Sequence, residues 1–106
     1  MDTSIKIIEL NGHLDINSSD DLRRRTLDLI SQGQKNILID CQNLSFMDSS
    51  GLSALVMAMK ATREVGGRLS ICAINHQAQM LFKLTGMDKV FEIFANQSEA
   101  VACMQV

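Results

Sequence analysis

The sequence predicts a single α/β domain, residues 1–106, with a mixed, mostly parallel β-sheet packed with about four α-helices. Three observations point there. Short apolar runs alternate with amphipathic stretches, the pattern of neighbouring parallel strands joined by helical crossovers. Two of those runs, NILIDC (36–41) and RLSICAI (68–74), lack strict alternation and read as strands buried on both faces. The length of 106 residues fits one domain, and 46% apolar content is enough for one core.

Each element has its own signal. Residues 4–10, SIKIIEL, are β-branched and apolar, and Asn11-Gly12 follows as a turn signal. His13 to Ile16 then reads as a short second strand pairing with the first. In the next stretch Ser18 and Asp21 have capping-box spacing, and Leu22, Thr26, Leu29 and Ile30 recur at helical intervals. Gly33 suits the stop, giving a helix over about 19–32. The strand at 36–41 leads through QNLSFM into the stretch DSSG (48–51). Leu52, Leu55, Val56, Met59 and Val65 mark one face of the helix after Gly51, closed by Gly66-Gly67.

The strand at 68–74 follows. Gln77 to Thr85 reads as a short helix with Ala78, Leu81, Phe82 and Leu84 inward and Gly86 as its stop. KVFEIF (89–94) reads as a strand. Asn96 caps a last helix, with Glu99 at capping-box distance. The expected order is β-β-α-β-α-β-α-β-α.

Composition excludes several function classes. Ten basic against twelve acidic residues give a formal charge of −2, with no general attraction to nucleic acid or anionic lipid. No uninterrupted apolar run approaches the ~18 residues that suggest a membrane span. The opening MDTSIKIIEL has no cationic segment followed by an apolar one, so no secretory signal is expected. Cys41, Cys72 and Cys103 are scattered and odd in number; Cys41 and Cys72 read as small core residues, and a reducing cytoplasm is the expected compartment.

Catalytic motifs are missing. The order D-S-S-G lacks the leading glycine of the G-x-S-x-G elbow, and His13 and His76 are the only histidines available as a base. No lysine follows Gly51 as in a phosphate-binding loop, and no G-x-G-x-x-G occurs. No cysteine and histidine pair has zinc spacing. A magnesium site from Asp15, Asp40 and Asp48 would rest on no motif, so neither metal nor cofactor is expected. Arg23-Arg24-Arg25 reads as a solvated helix face, His13 and His76 as surface loop residues, and Met57, Met59, Met80 and Met87 as core or edge fillers.

The DSSG stretch admits two readings. A helix start leaves about four N–H groups without partners, and Asp48 as N-cap with Ser49 and Ser50 in the first turn would satisfy some of them. Alternatively, a strand-to-helix turn is an exposed edge where partners bind, and a serine at a helix N-terminus can carry a phosphate without unfolding the helix. Phosphate would add about −1.5 to −2 charges beside Asp48 and turn a contact surface repulsive. Both readings can hold together.

Two segments carry a family resemblance: LNGHLDINSSDDL (10–22), with its Gly-x-Leu-Asp, and NILIDCQNLSFMDSSGLSALV (36–56). The stretch at 66–94 agrees in order and character. The chain resembles a stand-alone STAS domain of the bacterial anti-sigma factor antagonist family. The resemblance implies a non-enzymatic partner-switching protein. Its unmodified form would bind an anti-sigma factor that is also a GHKL-type serine kinase, releasing a sigma factor. Phosphorylation would end the binding and a PP2C-type phosphatase would reset it. By position, the resemblance makes Ser49 the acceptor, with Ser50 as alternative. It assigns Asp15, Asp48, Ser49, Ser50, Gly51, Leu52 and Ser53 to the partner surface. Ser53 stands where many members have glycine, a change that bears on partner choice. The competing expectation is a small accessory subunit of a lipid transporter, or a partner switch whose output is not a sigma factor. The chain opens on Met1 and shows no span, which argues against a transporter fusion.

Overall fold

The computed structural model describes residues 4–105. The elements are β1 (Lys6–Leu14), α1 (Ser19–Ser31), β2 (Asn36–Met47), α2 (Ser49–Glu64), β3 (Arg68–Cys72), α3 (His76–Thr85), β4 (Glu92–Phe94) and α4 (Gln97–Met104). The sheet has the spatial order β1-β2-β3-β4, and each neighbouring pair is parallel. The fold class is the one the sequence predicts, in the order β-α-β-α-β-α-β-α. The end residues of the expected 1–106 domain lie outside the described residues.

The two sides of the sheet follow from the period-2 alternation of strand side chains. Ile37, Ile39 and Cys41 of β2, with Ile8 and Leu10 of β1 and Leu69 and Ile71 of β3, face α1, α2 and α3. Those helices contribute Leu22, Leu52, Leu55, Ala58, Met59, Ala78 and Phe82 to the same core. On the opposite side Leu38 and Cys72 meet Ala100 and Met104 of α4. Burying β2 on both faces is why 36–41 carries so little polar alternation.

Several boundaries differ from the sequence reading. The expected hairpin at Asn11-Gly12 does not form, and β1 is one strand. Gly12 sits at φ +72° between register shifts at Glu9/Asn11 and Gly12/His13. The glycine serves a bulge in a parallel pair instead of a reversal of the chain. The β2 strand runs six residues beyond the expected end, to Met47, because β1 accompanies it as far as Leu14. The β3 strand stops at Cys72, where Ala73 turns to φ 60°. Met87–Lys89 forms a 3-10 turn, which shortens the last strand to three residues.

Packing also corrects four side-chain assignments. Leu84 is 80% exposed, since two residues past buried Phe82 a side chain lies about 200° around the helix. Val56 is only half-buried, and Val65 is exposed at the C-cap of α2, beyond its last turn. Ser18 makes no side-chain cap to α1. Its hydroxyl donates to the His13 carbonyl at 2.8 Å and accepts from the Asp15 N–H at 3.0 Å, fastening the end of β1 instead. The helix stops at Gly33, Gly66 and Gly86 all have positive φ, as the sequence suggests.

Candidate functional site

The DSSG turn stands at a projecting corner of the sheet. Pairing between β2 and β3 ends at Asp40↔Cys72, whereas β1 and β2 stay paired to Leu14↔Met47. The two strand ends therefore extend past the rest of the sheet, and α2 begins two residues after Met47. Register partners His13 and Phe46 stack edge to face there, with ring centroids 5.5 Å apart.

Asp48 caps α2 as the sequence suggests. Its Oδ1 accepts from the Gly51 N–H at 2.9 Å, and its own N–H donates to the Leu14 carbonyl at 3.3 Å. The same carbonyl explains Gly51. A Cβ there would stand 2.7 Å from the Leu14 carbonyl carbon and 2.9 Å from its Cγ. Only a residue without a side chain lets the first turn of α2 press onto the end of β1. The glycine in this box is thus explained by close approach of two backbones.

The two serines diverge. Ser49 is exposed and Ser50 half-buried. Ser49 lines a groove of about 390 Å³ between α2 and the end of α3, with Leu52, Val56, Thr85 and Met87. Ser50 lines another, of about 310 Å³, between α1 and α2, with Ile16, Asp20 and Arg23. Ser53 and Met57, both exposed, line both grooves and form the ridge between them. Ser53 thus occupies a central point of this face. Leu52 is 5% exposed and belongs to the core while closing the floor of its groove.

Asp15 is half-buried just past the end of β1. Its carboxylate accepts from the Asn17 N–H at 2.9 Å, and its carbonyl accepts from the Ser19 N–H at 2.9 Å and hydroxyl at 2.6 Å. The Ser19 hydroxyl also reaches the Ser50 carbonyl, at 3.4 Å. The structure therefore brings Asp15 and the 48–53 segment to one corner. Gln77 and Asn75, which tie α3 to the end of β2, were not singled out by the sequence. Their partners are backbone groups 30 and 31 residues away, and no local spacing reveals such bonds.

Several polar and charged groups elsewhere have structural partners. Among the described residues no group of three or more His, Cys, Asp or Glu is placed to hold a metal ion, so Asp15, Asp40 and Asp48 do not gather. Asp40 is buried and accepts from the Gln42 N–H and the Gln97 side chain. Burial, helped by neighbouring charge, pushes the Cys41 and Cys72 thiols up to about 12, so both stay protonated and unreactive at neutral pH. Two hydrogen bonds from Arg68 hold the Glu92 carboxyl below its usual range. Within the arginine run, Arg24 pairs with Asp21 at 2.8 Å on the exposed face of α1.

The STAS domain family profile matches residues 2–100. This chain belongs to the STAS domain family. It is 31% identical over 103 residues to the anti-sigma F factor antagonist of Paenibacillus polymyxa, covering 96% of this chain and 88% of that protein. It is 29% identical to the anti-sigma-B factor antagonist of Bacillus subtilis, covering 89% of this chain and 85% of that one. Among solved STAS-fold structures, a putative anti-sigma factor antagonist of Thermotoga maritima superposes with TM-score 0.90 at 21% identity, over 100% of this chain and 91% of that one. The Bacillus cell fate determinant SpoIIAA in its phosphorylated form superposes with TM-score 0.73 at 26% identity, over 95% and 91%. A sulfate transporter family protein of Wolinella succinogenes shares the fold, with TM-score 0.84 at 19% identity over 95% and 84%. Among the described residues no helix of this STAS domain is long and apolar enough to cross a membrane.

Proposed function

We propose that this STAS domain is an anti-sigma factor antagonist, a regulatory binding protein rather than an enzyme. In this reading its unphosphorylated form binds an anti-sigma factor that is also a GHKL-type serine kinase, and so frees a sigma factor. Phosphorylation of Ser49 ends the binding, and a PP2C-type phosphatase restores it. The relatives named above support the antagonist role. The observation that carries the switch is the division of labour at the turn: Asp48 supplies the cap, and Ser49 is exposed beside it. A phosphate on Ser49 would leave the cap in place while adding about −1.5 to −2 charges next to a carboxylate. The helix N-terminus tolerates that charge, so the fold survives while the surface becomes more negative and repels an acidic partner.

The contact surface in this reading is Asp15, Asp48, Ser49, Ser50, Gly51, Leu52 and Ser53, with the grooves on either side of the Ser53–Met57 ridge. Gly51 and Leu52 act from beneath, by setting how α2 sits on β1. Titration calorimetry with the cognate kinase tests the surface. Ser49→Ala should bind like the wild type, and Ser49→Asp should bind more weakly, each tenfold loss being about 1.4 kcal/mol. Equal dissociation constants for all three proteins would remove this turn from the interface. The transporter-subunit reading shares only the fold with its neighbour, and it gains ground if no phosphate is found on either serine.

A further inference from the structure

Beyond Asp40 the side of β2 that faces away from β1 has no strand to pair with, because β3 ends at Cys72. Side-chain amides from the start of α3 take that place. The Gln77 Nε2 donates to the Met47 carbonyl at 2.7 Å, and its Oε1 accepts from the Met47 N–H at 2.9 Å. One side chain thus satisfies both backbone groups of a single fully buried residue, as a neighbouring strand would. Asn75 adds a second tie: its Nδ2 donates to the Ser45 carbonyl at 3.1 Å, while its Oδ1 caps α3 through the Ala78 N–H at 2.9 Å.

We infer that Gln77 is a positioning residue for the Ser49 acceptor turn, an inference that rests on Ser49 being the site of phosphorylation. Met47, Asp48 and Ser49 are consecutive. Gln77 grips the first from the α3 side, and the Leu14 carbonyl grips the second from the β1 side. The backbone entering Ser49 is held from two directions, which fixes where its hydroxyl is presented. Gln77 makes no part of the ridge or of either groove. Its loss would leave the Ser53–Met57 ridge and the rest of the groove walls in place and loosen the acceptor turn. In kinetic language the kinase would bind the substrate as well as before and find it in reactive geometry less often.

The test uses the full chain, ATP and the serine kinase that co-purifies with the wild-type protein from its own cell extract. Gln77→Met keeps the length and removes both hydrogen bonds; Gln77→Glu keeps the acceptor but turns a second oxygen on the Met47 carbonyl. Both should lower kcat for Ser49 phosphorylation about tenfold with KM within twofold of wild type. Amide hydrogen exchange should quicken at Met47 and stay unchanged at Ile39 and Leu55. A merely structural role would lower the concentration of folded substrate, raising apparent KM with kcat unchanged and quickening exchange throughout; that result overturns the inference. Wild-type kcat in both variants also overturns it and leaves Ser49 as the acceptor. A wild-type protein that carries no phosphate on Ser49 overturns the reading and the inference together.

Discussion

Replacing Gly51 by alanine tests how α2 is seated. The added Cβ would run into the Leu14 carbonyl oxygen first and lie 2.7 Å from the carbonyl carbon, where ordinary contact begins at 3.4 Å, so the backbones must part by more than the 0.7 Å that the carbon alone demands. The obstacle is backbone, which cannot swing aside as a flexible side chain can. Overpacking of this kind costs about 1–3 kcal/mol. Parting also strains the Asp48 N–H bond to the Leu14 carbonyl, worth about 1 kcal/mol. Against this, alanine gains up to about 1 kcal/mol over glycine in a helix. The net expectation is a loss of about 2 kcal/mol, or about 8–16 °C in Tm for a domain of this size. Urea unfolding followed by circular dichroism measures it. A Gly51→Ala protein as stable as the wild type, or more stable, would show that helix propensity governs this position and that the close approach does not.

Two further predictions concern the core and the surface. Leu55 is fully buried at the centre of α2, so Leu55→Ala should cost about 2–5 kcal/mol in chemical denaturation, and less than about 1 kcal/mol would show that this face of α2 is not core. Glu92, held below its ordinary pKa by Arg68, should contribute stability above the unfolded value of 4.5 and lose it as pH falls through the folded value. The pair is partly exposed, so the Glu92→Gln difference near neutral pH should be only about 0.2–1 kcal/mol and should vanish once acid protonates Glu92 in the folded protein; a difference that does not shrink on acidification would deny the ion pair its role.

The sequence resolved what depends on local pattern and missed what depends on distant partners. Buried β2 and β3, the Asp48 cap and the glycine stops were legible because periodicity and capping are properties of neighbouring residues. Asn11-Gly12 misled because the same dipeptide serves a tight turn or a bulge, and only the presence of β2 alongside decides which. Ser18 misled in a similar way: its hydroxyl had a nearer claim from the end of β1 than from α1. At the candidate site, the acid and the serines could be picked out directly, but the reason for Gly51 required the Leu14 carbonyl, 37 positions earlier in the chain. The Gln77 tie was invisible for the same reason.

The position of the phosphate separates a switch at Ser49 from one at Ser50 and from no switch at all. On an ideal helix Ser49 and Ser50 point about 100° apart, and here they line different grooves, so one kinase site cannot meet both alike. The wild-type, Ser49→Ala and Ser50→Ala proteins are incubated with ATP and the cognate kinase, and fragment mass spectra locate the modification. Phosphate is expected on Ser49 in the wild type and absent from Ser49→Ala, with slower modification still on Ser49 in Ser50→Ala. Phosphate on Ser50 in the wild type would move the acceptor into the groove beside Arg23. No phosphate on either serine, from a kinase active on another substrate, would contradict the switch itself.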